Sequence, residues 1–217
     1  MARATLATIK RHVHVRSIAV IAFGYIVGAL AYSRLPGLFL EERPSARLEI
    51  AFALPTTTLV IYTLFRSLWR HDRIRTGNGS FEATYQAIVF RTLLFVFALH
   101  VVVMVLLTDA MDAVSIRSWG GRSVIVMLGL TIMGIGNLLP RTRPNVAFGV
   151  RTTRTLTNTR LWQQVHRVGG YVTVGLGIIT AITGLMLRPI EGVSAAFLFG
   201  VLAIMIMFVS YRRYARV

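Results

Sequence analysis

Apolar residues along this chain are grouped into six long runs separated by short polar and basic segments. The runs lie near residues 17–34, 48–66, 86–107, 122–139, 169–187 and 194–211. A helix needs about 20 apolar residues to cross the hydrocarbon core of a bilayer, and its backbone groups are then satisfied within the segment. The alternating pattern typical of membrane β-strands is missing. The sequence therefore predicts an all-α integral membrane protein, a six-helix transmembrane bundle.

The segment between the fourth and fifth runs, residues 136–170, is rich in turns and arginines, and we call it the signature loop. Pro140 and Pro144 prevent a regular helix from continuing through its first part. After Thr157, apolar residues such as Leu161 and Trp162 recur at helical spacing, so they would lie on one face of a helix and the polar residues on the other. This pattern predicts a short interfacial amphipathic helix between helices 4 and 5.

Composition and charge support a membrane protein with both termini on the cytoplasmic side. Apolar residues make up 55% of the chain and charged residues only 15%, against roughly a quarter charged in soluble domains. Most of the 24 basic residues lie in the two tails, the second loop and the signature loop, whereas most acids lie in the opposite loops. Cytoplasmic loops carry such an excess of Lys and Arg. The net charge of +16 therefore indicates contact with membrane lipids, and we expect no nucleic-acid partner.

The first apolar run has a second interpretation. Basic residues, the run itself and the segment 29–31, Ala-Leu-Ala, resemble a signal peptide with a cleavage site. However, the run has full spanning length, and Gly24 and Gly28 form a small-residue face suited to helix packing. We therefore expect a retained transmembrane helix.

Few residues inside the predicted helices carry chemistry. His100 lies in the middle of helix 3, and Thr57 follows Pro55 in helix 2, so the two are candidates for an intramembrane polar site. Alternatively, His100 could be a buried structural histidine, and Pro55 and Thr57 could belong to a kinked helix that serves only for packing. The chain has no cysteine, and His12 and His14 alone supply too few ligands for a metal. We predict no catalytic residues, no cofactor and no metal site.

The arginines of the signature loop allow two interpretations. They could be only the positively charged rim of the cytoplasmic face, bonded to lipid phosphates. Alternatively, Arg151 and its neighbours could bind carbonyls, a carboxylate or a phosphate through forked hydrogen bonds. Spacing alone does not decide between these possibilities.

The spacing of residues in this loop resembles the signature of the SdpI family, a bacterial membrane immunity protein family. The residues that carry the resemblance, and that we take as the candidate partner-binding site, are Asn137, Pro140, Arg143, Pro144, Asn145, Gly149, Arg151, Thr152, Thr155, Trp162, His166, Arg167 and Gly170. The resemblance divides the chain into residues 1–75, similar to a module that often precedes the signature, and an SdpI-like region, 76–217. Residues 37–42 depart from the family pattern, which is usually richer in Pro, His and Asp at this loop.

The resemblance implies a non-enzymatic protein of the bacterial inner membrane that gives immunity to a secreted membrane-active peptide toxin or senses it. The implied partners are membrane lipids, such a toxin, or a cytoplasmic regulatory protein; the oligomeric state is left open. Two other functions remain: a small transporter lined by His100, Asn137 and Thr56–Thr58, or a structural subunit of a larger membrane complex.

Overall fold

The computed structural model describes residues 2–35, 45–76, 81–108 and 119–215. The helices are α1 (Ala2–Tyr32), α2 (Ala46–Thr76), α3 (Glu82–Leu107), α4 (Gly121–Gly136), α5 (Thr153–Thr157), α6 (Thr159–Met186) and α7 (Pro189–Tyr214), with a 3₁₀ turn at Leu139–Arg141. Each of these helices except α5 shares with one of six segments in the described residues a stretch long and apolar enough to cross a membrane. The prediction of a multi-pass helical membrane protein with six spans is therefore confirmed. The predicted outer loops at 36–44 and 109–118, including the departure at 37–42, lie outside the described residues.

The boundaries near the signature loop differ from the sequence prediction. The segment around Trp162 is the first part of the long helix α6, which begins at Thr159, and not a separate interfacial helix. The separate short helix of this region is α5, immediately upstream. Gly169 and Gly170 do not interrupt α6, because each is buried against a neighbouring residue, with Met207 beside Gly169 and Pro140 beside Gly170. Tertiary packing here outweighs the low helix propensity of glycine.

The described residues form two compact units, and the first comprises residues 1–64 and 92–120. In this unit the backbone of α1 lies close to that of α2. A Cβ atom at Gly28 would lie 2.3 Å from the carbonyl oxygen of Ala51, so only glycine permits this approach. Pro55, inside α2, packs beside Gly24. The predicted small-residue face of the first helix is thus used for packing, as small residues commonly are in membrane helices.

The second unit comprises residues 65–91 and 121–217, and its centre is the contact between α4 and α6. Gly129 lies opposite Gly177, where an added Cβ atom would come within 2.4 Å of the backbone nitrogen of Met133. Seven residues earlier in α6, Gly170 lies near the carbonyl oxygen of Gly136. The glycines at spacing seven in α6 therefore form a face that packs closely against α4. This contact fixes α4 at the start of the signature loop and α6, which forms residues 159–170 of that loop, at its end.

Candidate functional site

The signature loop begins where α4 ends at Gly136 and the backbone tightens into the 3₁₀ turn. Pro140 lies in the first part of that turn, where the missing N–H of proline costs no helical hydrogen bond. Its ring lies against α6, and a Cβ atom added at Gly170 would come within 2.8 Å of Pro140 Cδ. Two residues of the predicted site, Pro140 and Gly170, thus fit against each other and set the path of the loop.

Trp162 anchors the loop to α6. Its side chain is fully buried, and its indole N–H donates to the carbonyl oxygen of Thr142 (3.1 Å) and to the Thr142 hydroxyl (3.2 Å). The Thr142 hydroxyl donates in turn to the carbonyl oxygen of Leu139 at 2.7 Å. Buried tryptophan usually needs a partner for its N–H, and here that partner is the backbone just after the 3₁₀ turn. Thr142 is a site residue that the sequence did not reveal, since threonine in a loop has no distinguishing signal.

Asn145 organises the next turn with its buried side chain. Its Oδ1 accepts hydrogen bonds from the backbone N–H groups of Ala147 (2.9 Å) and Phe148 (2.8 Å). Its Nδ2 donates to the carbonyl oxygen of Arg143 at 2.7 Å. The amide therefore satisfies three backbone groups that a loop would otherwise leave without partners. Asn145 thus closes a local turn through its side chain.

His166 and Gly149 form the closest contact between the loop and α6. The Val150 N–H donates to Nε2 of His166 at 3.1 Å, while Nδ1 faces the Trp162 carbonyl oxygen at 2.8 Å. Because Nε2 accepts, the proton of the neutral ring is assigned to Nδ1, which donates to Trp162. The imidazole also stacks on the indole of Trp162, with ring centroids 3.9 Å apart. Gly149 has φ of 98°, and a Cβ atom there would lie 1.9 Å from Nε2, so glycine is required on both counts.

Thr152 and Thr155 close the loop before α6 begins. They form a reciprocal capping box at the start of α5, with the Thr155 N–H donating to the Thr152 hydroxyl and the Thr152 N–H donating to Thr155 Oγ1. The Thr155 hydroxyl is fully buried and also donates to the Val150 carbonyl oxygen at 2.8 Å. Both groups of Val150 are thus held by side chains of the signature.

The charged members of the predicted site lie on the outside of this buried framework. Arg143, Arg151 and Arg167 are exposed, and so is Asn137. Arg151 donates from Nη1 to the carbonyl oxygen of Val146, which directs its guanidinium across the loop. The site therefore has two parts: buried side chains that fix the backbone, and exposed guanidinium groups that remain accessible to a partner.

Phe148 connects the loop to an aromatic cluster that sequence analysis did not identify. Its ring lies 5.1 Å from that of Phe65 and 4.9 Å from that of Tyr85, and Trp69 lies 4.9 Å from Tyr85. The Tyr85 hydroxyl donates to the carbonyl oxygen of Phe65 at 2.7 Å. The aromatic side chain of Phe148, in the arginine-rich part of the loop before α5, was the sequence signal that could have indicated this cluster. The cluster attaches the loop to α2 and α3 as well as to α6.

The predicted intramembrane polar site of His100 and Thr57 gains no support, because the two side chains have different environments. His100 is buried, with 1% of its surface exposed, whereas Thr57 is exposed. The Thr57 hydroxyl donates to the Ala53 carbonyl oxygen of its own helix at 2.8 Å. Buried Thr58 makes the same bond to Leu54. These bonds match the expected role of hydroxyls near Pro55, which satisfy backbone carbonyls in a membrane helix.

Comparison with known protein families gives a match to the second half of the chain. The SdpI/YfhL protein family matches residues 141–211, from the 3₁₀ turn through most of α7. Comparison with curated proteins and with solved structures gave no match. The matched segment contains Asn145, Gly149, Trp162 and His166, the residues that hold the loop on α6. The resemblance seen in the signature is thus confirmed over residues 141–211: this is a multi-pass membrane protein of which that segment matches the SdpI/YfhL protein family.

Proposed function

We propose that this chain is a non-enzymatic protein of the bacterial inner membrane that protects its cell against a secreted membrane-active peptide toxin. The observation that carries the proposal is the SdpI/YfhL match over residues 141–211, because immunity is the role that this family likeness implies. The excess of basic residues on the side of the signature loop supports a cytoplasmic location for that loop and for both termini.

The geometry of the loop supports a role in binding. Asn145, Trp162 and His166 are buried and hydrogen bonded, so the loop needs little further ordering when a partner arrives. Exposed Arg151 lies on this ordered backbone. A guanidinium group recognises carboxylate or carbonyl oxygens through forked hydrogen bonds. We therefore assign Arg151 to contact with the toxin or with a cytoplasmic regulatory protein.

Changing Arg151 to Ala is expected to remove protection without reducing the amount of protein in the membrane. The measurement is membrane depolarisation of sensitive cells that express the protein, challenged with a panel of secreted amphipathic peptide toxins. The wild-type protein should protect selectively against one toxin. The matched control is Arg70→Ala, which removes another exposed arginine of the same unit, outside the signature loop.

The two arginine variants separate a specific site from a general charge effect. Loss of protection in Arg151→Ala alone supports the assignment. Equal protection in the wild-type protein and both variants would reduce the loop arginines to the positive rim of the membrane protein. No protection by the wild-type protein against any toxin of the panel would count against the immunity function itself.

A further inference from the structure

An open cleft of about 700 Å³ lies beside the start of α6 and the end of α7, within the second unit. It is separate from the buried core of the signature loop, and none of the thirteen signature residues lines it. Its lining includes Arg154, Thr157, Arg160, Gln164, Tyr214 and Ala215. The cleft therefore offers binding chemistry that the signature does not include.

The chemistry of the lining fits an anion. Arg154 and Arg160 supply two guanidinium groups, Gln164 supplies an amide and Tyr214 a hydroxyl, while no lining residue among those described is acidic. Arginine forks match the oxygens of a phosphate group, and hydroxyl and amide donors complete such sites. The amino-terminal end of α6 adds the positive end of the helix dipole. The cleft thus favours a phosphate group over a cation or a neutral ligand.

Hydrogen bonds within the protein fix part of the cleft lining in place. Arg154 donates from Nη1 to the carbonyl oxygen of Ala215 at 2.9 Å, which joins α5 to the end of α7. Asn158 caps α6 by accepting from the Leu161 N–H at 3.0 Å. In the described part of the chain, no hydrogen bond or ion pair engages the side chain of Arg160, which is exposed. The Arg160 side chain is therefore available to a ligand, while Arg154 connects α5 to the end of α7.

We propose that this cleft binds a phosphate group, of an anionic phospholipid or of free phosphate. Two membrane-crossing helices end here, α6 at Thr159 and α7 at Tyr214, which puts the cleft at the depth of lipid headgroups. The proposal does not depend on the immunity function. It predicts a defined phosphate site, in addition to the diffuse attraction that any basic protein has for anionic membranes.

Short-chain phosphatidylglycerol is expected to stabilise the purified full-length protein in neutral detergent. The measurement is the thermal unfolding midpoint as a function of added lipid, which gives an apparent Kd through binding linkage. Arg160→Gln should raise that Kd about tenfold, the size expected for losing a charge-assisted contact. Arg70→Gln, which removes an equal charge elsewhere in the unit, should leave the Kd unchanged.

Two further ligands identify what the cleft recognises. Short-chain phosphatidylcholine tests whether any phospholipid suffices, and inorganic phosphate tests whether the phosphate group is enough without a lipid. Stabilisation by phosphatidylglycerol alone indicates a lipid site, and stabilisation by both anions indicates a site for the phosphate group itself. The proposal would be overturned if Arg160→Gln and Arg70→Gln raised the apparent Kd equally, or if phosphatidylcholine stabilised the protein as much as phosphatidylglycerol does. It would also be overturned if neither phosphatidylglycerol nor inorganic phosphate stabilised the protein.

Discussion

Replacing Trp162 with alanine is expected to lower the free energy of unfolding by about 3–5 kcal/mol, the range for removing a large buried side chain. Trp162 is fully buried, donates to Thr142 and stacks on His166. Its loss would leave a cavity at the junction of the loop and α6. It would also leave the Thr142 carbonyl without its indole donor. The measurement is reversible chemical unfolding of the purified protein in detergent.

Two further variants make the Trp162 result specific. Trp162→Phe keeps most of the ring but removes the N–H donor, so a smaller loss of about 1–2 kcal/mol is expected. Tyr171→Ala removes an aromatic ring from the same helix at a position 73% exposed, where substitutions usually change stability little. If Trp162→Ala is no more destabilising than Tyr171→Ala, Trp162 does not anchor the loop.

Replacing Gly149 with alanine is expected to destabilise the protein by about 3 kcal/mol, from backbone strain together with a lost buried hydrogen bond. The backbone has φ of 98°, and the new Cβ atom would lie 1.9 Å from Nε2 of His166. The histidine and the loop would have to separate, which would break the bond from the Val150 N–H. Chemical unfolding in detergent measures the loss.

Gly175→Ala is the matched control for this glycine. Gly175 lies within α6, and a Cβ atom there would have nothing within 4 Å. Alanine is the better helix former, so this variant should be as stable as the wild-type protein or slightly more stable. Equal effects of the two substitutions would mean that the close approach of Gly149 to His166 is not a feature of the folded protein.

The number and type of the membrane helices could be predicted from the sequence because apolar length is a strong signal. The glycines of α6 at spacing seven also indicate a helix face suited to close packing, although they do not identify the partner, α4. The start of α6 could not be predicted, since Gly169 and Gly170 look like helix breakers until their contacts with Met207 and Pro140 are known. Local propensity carries no information about such long-range packing.

The candidate site was only partly accessible to sequence reasoning. The signature identified Asn145, Trp162 and His166, but it could not separate buried residues that hold the backbone from exposed arginines such as Arg151. Thr142 was missed because its role depends on Trp162, twenty residues further along the chain. In a membrane protein with few polar side chains, hydrogen bonding to the backbone explains much of a polar signature.

The family signature builds a loop that α6 holds in one conformation, and amide hydrogen exchange at Val150 tests this most directly. The Val150 N–H donates to buried His166, whereas those of Ala147 and Phe148 donate to Asn145. All three amides should exchange slowly in the wild-type protein. His166→Phe removes the acceptor but keeps a flat ring. It should accelerate exchange of the Val150 amide by about tenfold or more, the equivalent of one hydrogen bond, while the exchange rates of the Ala147 and Phe148 amides change less. Exchange of Val150 in the wild-type protein as fast as in an unstructured peptide would contradict the account.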